Sequence, residues 1–365
     1  MAQYFTERLQ KVFHMIFTSY NQEMAQEGLR QLELIVNNQH TPEQPNHRAL
    51  RNDMTTSLEN EIDTKEDALK IANDPEAREI ADAYALLARI YAGPRFTWEE
   101  SNFPENNMRT YQCLHDSIRR CSPIGTLQAL RINGTITPTV EKDMLISFDD
   151  AFRIVYDYAE QGDAFCQYII GNVFFWRDDN RISLARDMIT PPRLSLAKRI
   201  QQSLQKGSIQ ERLIALQGTI SNETLQENAT TLAKEWFNRA LDNGLAMFQG
   251  NLRNIYIDEG DFDNARRVAL TAAELGNPTM MLYTGLDCHE HGKFEDAFTW
   301  FTKGAALGQA ESTAELADYY YHFYDAKELR RVIPYDPVKA IGLYRRAATK
   351  YFSDAGYAAL QAAFG

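Results

Sequence analysis

The run Cys288-His289-Glu290-His291 is the stretch most suggestive of chemistry, because thiolate, imidazole and carboxylate are all metal ligands. Its spacing argues against that use. Histidines two apart on a helix project to roughly opposite sides, whereas the familiar zinc-protease pair is four apart. A helix ending at Gly292 favours histidine in any case, through its negative C-terminal dipole. The acid pairs Asp149-Asp150 and Asp178-Asp179 have the residue types for general acid–base work. Asp149 and Asp150, however, precede a helix expected to begin near Ala151, where carboxylates cap free amides. There is no glycine-rich phosphate loop, no G-x-S-x-G elbow and no defensible cysteine–histidine couple. The expectation is no catalysis, no metal and no cofactor.

The aromatic run Tyr319 to Tyr324, with His322 inside it, could stack nucleobases. A net charge of −12 opposes that, and opposes attachment to an anionic membrane. Neither nucleic acid nor membrane is therefore an expected partner. Cys113, Cys121, Cys166 and Cys288 are too few and too scattered for a disulfide framework, and read as buried free thiols. In residues 1–20, Glu7, Arg8 and Lys11 interrupt the apolar run that export requires, and no stretch reaches the length of a membrane span. The cytoplasm is the expected compartment.

What must position these residues is a repeat. Ala233, Ala265 and Ala297 recur at a period of 32, and so do Gly244, Gly276 and Gly308. A fixed period of this length marks a stacked array. Counted from each alanine, and from Ala340, bulky residues follow at offsets three and four, as in Trp236-Phe237 and Trp300-Phe301. Small ones follow at seven and eight, as in Ala272-Ala273 and Gly304-Ala305. This spacing makes one apolar stripe on a helix that a glycine at offset eleven then stops. A second helix carries a small residue at offset twenty and a bulky one at twenty-three, as in Gly171 with Phe174 and Gly285 with Cys288. It closes at Gly260 or Gly292. Weaker copies begin at Ala68 and Ala151, and degenerate ones at Thr110 and Leu196.

The pattern, clearest in Ala297–Gly308 and in Gly162-Asp163-Ala164 through Gly171 and Phe174, resembles the Sel-1-like repeats, short relatives of tetratricopeptide repeats. The resemblance covers roughly residues 68–92 and 148–365. The chain departs from it in a period shorter than that family's usual unit, and in Arg253, which takes a glycine's place. The resemblance implies an all-α fold, a right-handed α-solenoid of antiparallel helix-pair repeats (an α/α superhelix), used for protein binding. It carries over no catalytic residue.

The organisation read from the sequence is a helical hairpin over 1–37, a polar and acidic linker with a first helix over 38–67, degenerate repeats with insertions over 68–230, and regular repeats over 231–365. The hairpin, with its stripe of Phe5, Leu9, Val12, Phe13, Ile16, Phe17 and Tyr20, reads as an end cap for the solenoid or as a dimerisation surface. Asp53 to Asp82 carries a net charge of −7 and Lys327 to Lys350 one of +5, solvated helix faces or the two halves of a head-to-tail homodimer.

The functional expectation is a non-catalytic scaffold or adaptor that holds a protein or peptide in a concave groove. That groove is expected to be lined by the first helix of each pair. Offsets twenty-one, twenty-four and twenty-five point to the inner face and give Asn172, Trp176, Asn254, Asp258, Glu290, Asp318, Tyr321 and His322 as binding residues. The alternatives are an enzyme or metal protein whose site is assembled across the fold, and a nucleic-acid-binding helical repeat.

Overall fold

A computed structural model describes residues 3–37, 64–93, 96–98, 101–132, 141–192, 195–209, 220–247, 249–323, 330–331 and 333–351. Every regular element among them is helical. The chain opens with α1 (Glu7–Phe13), which runs on through a turn of π-helix at His14–Thr18, and then α2 (Gln22–Asn37). Helix pairs follow: α3 (Lys65–Asn73) with α4 (Glu79–Tyr91), α5 (Asn107–Arg119) with α6 (Pro123–Ile132), and α7 (Phe148–Glu160) with α8 (Ala164–Phe175). Two lone helices, α9 (Ser183–Ile189) and α10 (Leu196–Leu204), come next. The regular part comprises α11 (Asn222–Asp242) with α12 (Gly250–Asp258), α13 (Phe262–Glu274) with α14 (Pro278–Glu290), α15 (Phe294–Ala306) with α16 (Ala310–Tyr321), and α17 (Pro337–Tyr351).

One unit shows why the sequence folds this way. The Asp261 side chain caps α13 by accepting from the Asn264 amide, and the helix buries Ala265, Val268, Ala269, Ala272 and Ala273, the stripe positions. Gly276 then turns left-handed at φ +102, so that its own N–H reaches Ala273 O and the Asn277 N–H reaches Ala272 O. These two bonds satisfy carbonyls that the helix end would leave bare. Asn277 at once caps α14, with Pro278 in the first turn, where a missing N–H costs nothing. So short a link between packed helices makes the pair antiparallel. Gly162, Gly244 and Gly308 take the same left-handed conformation at the same offset. In the degenerate unit begun at Thr110 the position falls to Cys121, a non-glycine residue held at φ +66.

The pairs stack in order, α4 on α5, α6 on α7, α12 on α13, α14 on α15 and α16 on α17, an α-solenoid. The unit begun at Thr110 therefore belongs to the stack as α5 and α6. The one begun at Leu196 does not, because α8 packs directly on α11 and the segment between them leaves the array. On that excursion α9 returns to touch α7 and α11, while α10 exposes Ile200 and Leu204. Residues 38–63, 324–329 and those beyond 351 lie outside the described residues, together with the charges they carry.

The N-terminal hairpin is not an end cap. Tyr4, Phe5, Leu9, Val12, Phe13, Ile16, Phe17 and Tyr20 are all buried, and their contacts run across several units rather than onto one. The Tyr4 hydroxyl donates to Asp82 on α4 at 3.2 Å, and the Tyr4 amide donates to Asp163, ahead of α8, at 3.0 Å. Phe13 lies 4.8 Å, centroid to centroid, from Phe165 on α8. Trp98 Nε1 donates to Ile16 O at 2.7 Å, and the Tyr20 ring reaches the cap glycine Gly276 of the unit begun at Ala265. The hairpin is thus a strap laid along the stack. Its apolar face is covered by the chain itself, which answers the demand for a partner that the stripe had raised. Each such side chain contributes about 1.5–3 kcal/mol by burial.

Candidate functional site

Between the helices that come second in their pairs lies a cavity of about 500 Å³. Arg89 reaches it from α4 and Phe96 from the segment that follows. Gln128 and Arg131 come from α6, Tyr168, Asn172 and Trp176 from α8 or its end, Asp178 from the next turn, and Gly250 and Asn251 from α12. Four successive units therefore contribute to one hollow. Its size is that of a small-ligand or peptide pocket.

Charge and aromatic surface meet there. Arg89 is 3% exposed; its guanidinium lies 5.5 Å from the ring centroids of Phe165 and Tyr168 and 5.9 Å from that of Phe96. It also donates to the Tyr168 hydroxyl at 3.4 Å. Arg131 pairs with Asp178 and stands 5.6 Å over the half-exposed Trp176. Burial pushes Asp178 up to about 6, against the pull of Arg131. Behind it Asp179 accepts from Arg177 and Arg186, each at 2.7 Å, which pins the turn after α8. The acid pair is thus occupied in holding arginines.

The eight expected binding residues lie on the second helices of their units or just past them, not on the first helices that were expected to line the groove. Asn172 and Trp176 are brought together on the cavity. Asn254 and Asp258 are exposed on α12, three and seven residues beyond cavity-lining Asn251, and so continue its face away from the hollow. Glu290 is exposed at the end of α14. Asp318 accepts from the Tyr344 hydroxyl. Tyr321 lies 6.1 Å from the ring of Tyr335, and His322, left-handed at φ +54, pairs its Nε2 with Ile333 O at 2.8 Å. That C-terminal trio meets the chain's own segment 333–344.

Sequence reasoning passed over Arg89, Gln128 and Arg131. A signal was available for the first: Arg89 is the one charge in Ala83–Tyr91, a run otherwise apolar, and such a charge must find a purpose in the interior.

The Cys288-His289-Glu290-His291 run does not converge. His289 Nδ1 is 2.7 Å from the Tyr319 hydroxyl, and His291 Nδ1 is 2.7 Å from Asp287 O. Among the described residues no group of three or more His, Cys, Asp or Glu is gathered closely enough to hold a metal ion. All four cysteines are free, and burial pushes Cys121 and Cys113 up to about 12. Among the described residues no helix is long and apolar enough to cross a membrane. Asp150 caps α7 in a box with Ser147, and Asp149 accepts from the Leu184 amide at 2.9 Å.

No family model matches the sequence, and no curated protein does. Among solved structures the chain is similar to a Sel1 repeat protein from Oxalobacter formigenes, at 15% identity and a TM-score of 0.37, over 82% of this chain and 96% of that one. It is also similar to c5321, a protective antigen present in uropathogenic Escherichia coli strains that displays an SLR fold, at 14% identity and a TM-score of 0.34, over 86% and 67% respectively. The chain's own helix pairs recur at a period of 32, with left-handed glycines at their turns.

Proposed function

We propose that this chain is a non-catalytic scaffold that holds a protein or peptide partner along the surface of its second helices. The observation that supports this reading is the hollow built by four successive units, with the half-exposed Trp176 at its edge and Asn251, Asn254 and Asp258 leading away from it. Large aromatic side chains beside a desolvated pocket are the usual anchors of protein recognition. Glu290, Asp318, Tyr321 and His322 extend the proposed surface toward the C-terminal units.

The test is affinity capture from the native cell with the wild-type chain, Trp176→Ala and Tyr321→Ala, bound proteins being identified for each. Loss of the same partner by Trp176→Ala, with a melting temperature within a few degrees of the wild type, is expected. Unchanged capture by both folded variants would overturn the reading.

A further inference from the structure

Asn172 is 8% exposed and lines the hollow, yet its side-chain amide has no hydrogen-bond partner among the described residues. Buried amides are almost always satisfied, because the water they lose must be replaced by another partner. Asn251, half-buried on α12, brings a second such amide to the same lining. A carboxamide both donates and accepts, the complement of the C=O and N–H of an extended peptide. The rest of the lining asks for no charge. Arg131 is paired with Asp178, while Arg89 is enclosed by the rings of Phe96, Phe165 and Tyr168 and donates to the Tyr168 hydroxyl. What remains is apolar: Leu127, Ile169, Val173 and the half-exposed ring of Trp176. That ring is held in place. Arg177, directly after it, is left-handed at φ +62, a conformation uncommon outside glycine. It is fixed there by bonds to Asp179 at 2.7 Å and to Gln226 on α11 at 2.8 Å. Backbone strain of this kind gathers at ligand sites, where it sets a side chain in advance.

From this lining we infer that the hollow binds an extended segment of a partner chain. Asn172 and Asn251 pair with the backbone of that segment, and the apolar wall takes one of its uncharged, apolar side chains. The inference rests on the scaffold reading above and narrows it to one pocket and one ligand chemistry.

The experiment uses the full chain and fluorescein-labelled, amidated pentapeptide pools of the form Gly-Ser-X-Ser-Gly, read by anisotropy. X is Leu, Ile, Phe or Trp in the first pool, Asp or Glu in the second, and Lys or Arg in the third. A fourth pool repeats the first with the N–H of X and of the residue after it methylated. The first is expected to bind, and the other three to bind about 10-fold more weakly or worse. Asn172→Leu keeps the size of the side chain and removes its amide. It should weaken the first pool about 10-fold or more without lowering the melting temperature, since no bond within the fold is lost. Gly250→Leu narrows the hollow from a lining position where an added Cβ meets nothing within 4 Å, and should weaken that pool as much.

A lowered melting temperature in Asn172→Leu would mean that the amide is satisfied within the fold and would overturn the inference. So would a charged pool bound as tightly as the first, a methylated pool bound at full strength, or wild-type binding by either variant. No binding of the first pool below about millimolar would overturn it as well. A chain that captures a folded partner through Trp176 yet binds none of these pools keeps the scaffold reading and loses this one.

Discussion

A Cβ on Gly285 would stand 2.5 Å from Cε1 of Phe301, and one on Gly171 would stand 2.6 Å from Cε1 of Phe237. The two pairs are the same joint, offset twenty of one unit against offset four of the next stacked unit. Each phenyl ring lies against a helix where a side chain is missing. Both phenylalanines are fully buried, so neither ring can swing into solvent to make room.

Gly285→Ala should therefore destabilise the chain by about 1–3 kcal/mol through overpacking, even though alanine is the better helix former. Urea unfolding of the variant checks this. In a chain that also carries Phe301→Leu, most of the loss caused by the alanine should disappear, because the two positions are in contact and their effects do not add. Additive losses would show that the joint is not the cause.

This joint is the part of the fold that was most readable beforehand. Gly171, Gly285 and the phenylalanines recur at a fixed period, and each sits in a helix whose stripe identifies its buried side. Even the exception is regular. Where Arg253 replaces the glycine, the facing offset falls to Ala269 instead of an aromatic, and the Arg253 guanidinium lies 3.9 Å from the Tyr283 ring centroid on the next second helix. The strap was not readable. Tyr20 meets Gly276 across most of the chain, and a contact between segments that share no period leaves no local mark. The cavity was half readable: Asn172 and Trp176 follow from the repeat register, whereas Gln128 falls on none of the offsets that the register singles out.

The strap depends on a buried ion pair. Arg78 Nε donates to Asp82 at 3.0 Å, its other nitrogens reach Ala72 O at 2.8 Å and Tyr4 O at 2.6 Å, and neither residue is more than 1% exposed. Ser122 and Tyr4 also donate to Asp82. Arg78→Ala leaves that carboxylate without its counter-ion and should cost about 3–5 kcal/mol in urea unfolding. The pair Arg78→Met with Asp82→Leu should cost less than Arg78→Ala, since no charge is then stranded.

Trp98 holds the π-helical turn by its single donor to Ile16 O, in a site 6% exposed. Trp98→Phe keeps most of the packing and removes the donor, which leaves a buried carbonyl unmet at a cost of about 1–3 kcal/mol. Hydrogen exchange measured by mass spectrometry should quicken in residues 9–20, while peptides from α15 and α16 keep wild-type protection. Uniform quickening would mean that the turn does not open on its own.

His289 gives the chain a dependence on pH. Burial holds its imidazole below the ordinary 6.5, against the opposing pull of Glu290 and Asp318. A histidine with a lowered folded pKa favours the neutral form, so its contribution is fully present above about pH 6.5 and is lost as pH falls below that. The melting temperature should therefore drop between about pH 7.5 and about pH 5.5, and His289→Asn should show a smaller drop over the same interval.

The strap also sets an order on biosynthesis. Tyr4, Phe13 and Tyr20 leave the ribosome early, yet Phe165 and Gly276, which they rest on, are made much later. At roughly 5–20 residues per second the interval is on the order of tens of seconds. For that time the hairpin has Asp82 and Trp98 to rest on but part of its apolar face is uncovered, so a nascent chain halted before Gly276 should be held by chaperones, and one released beyond it should not.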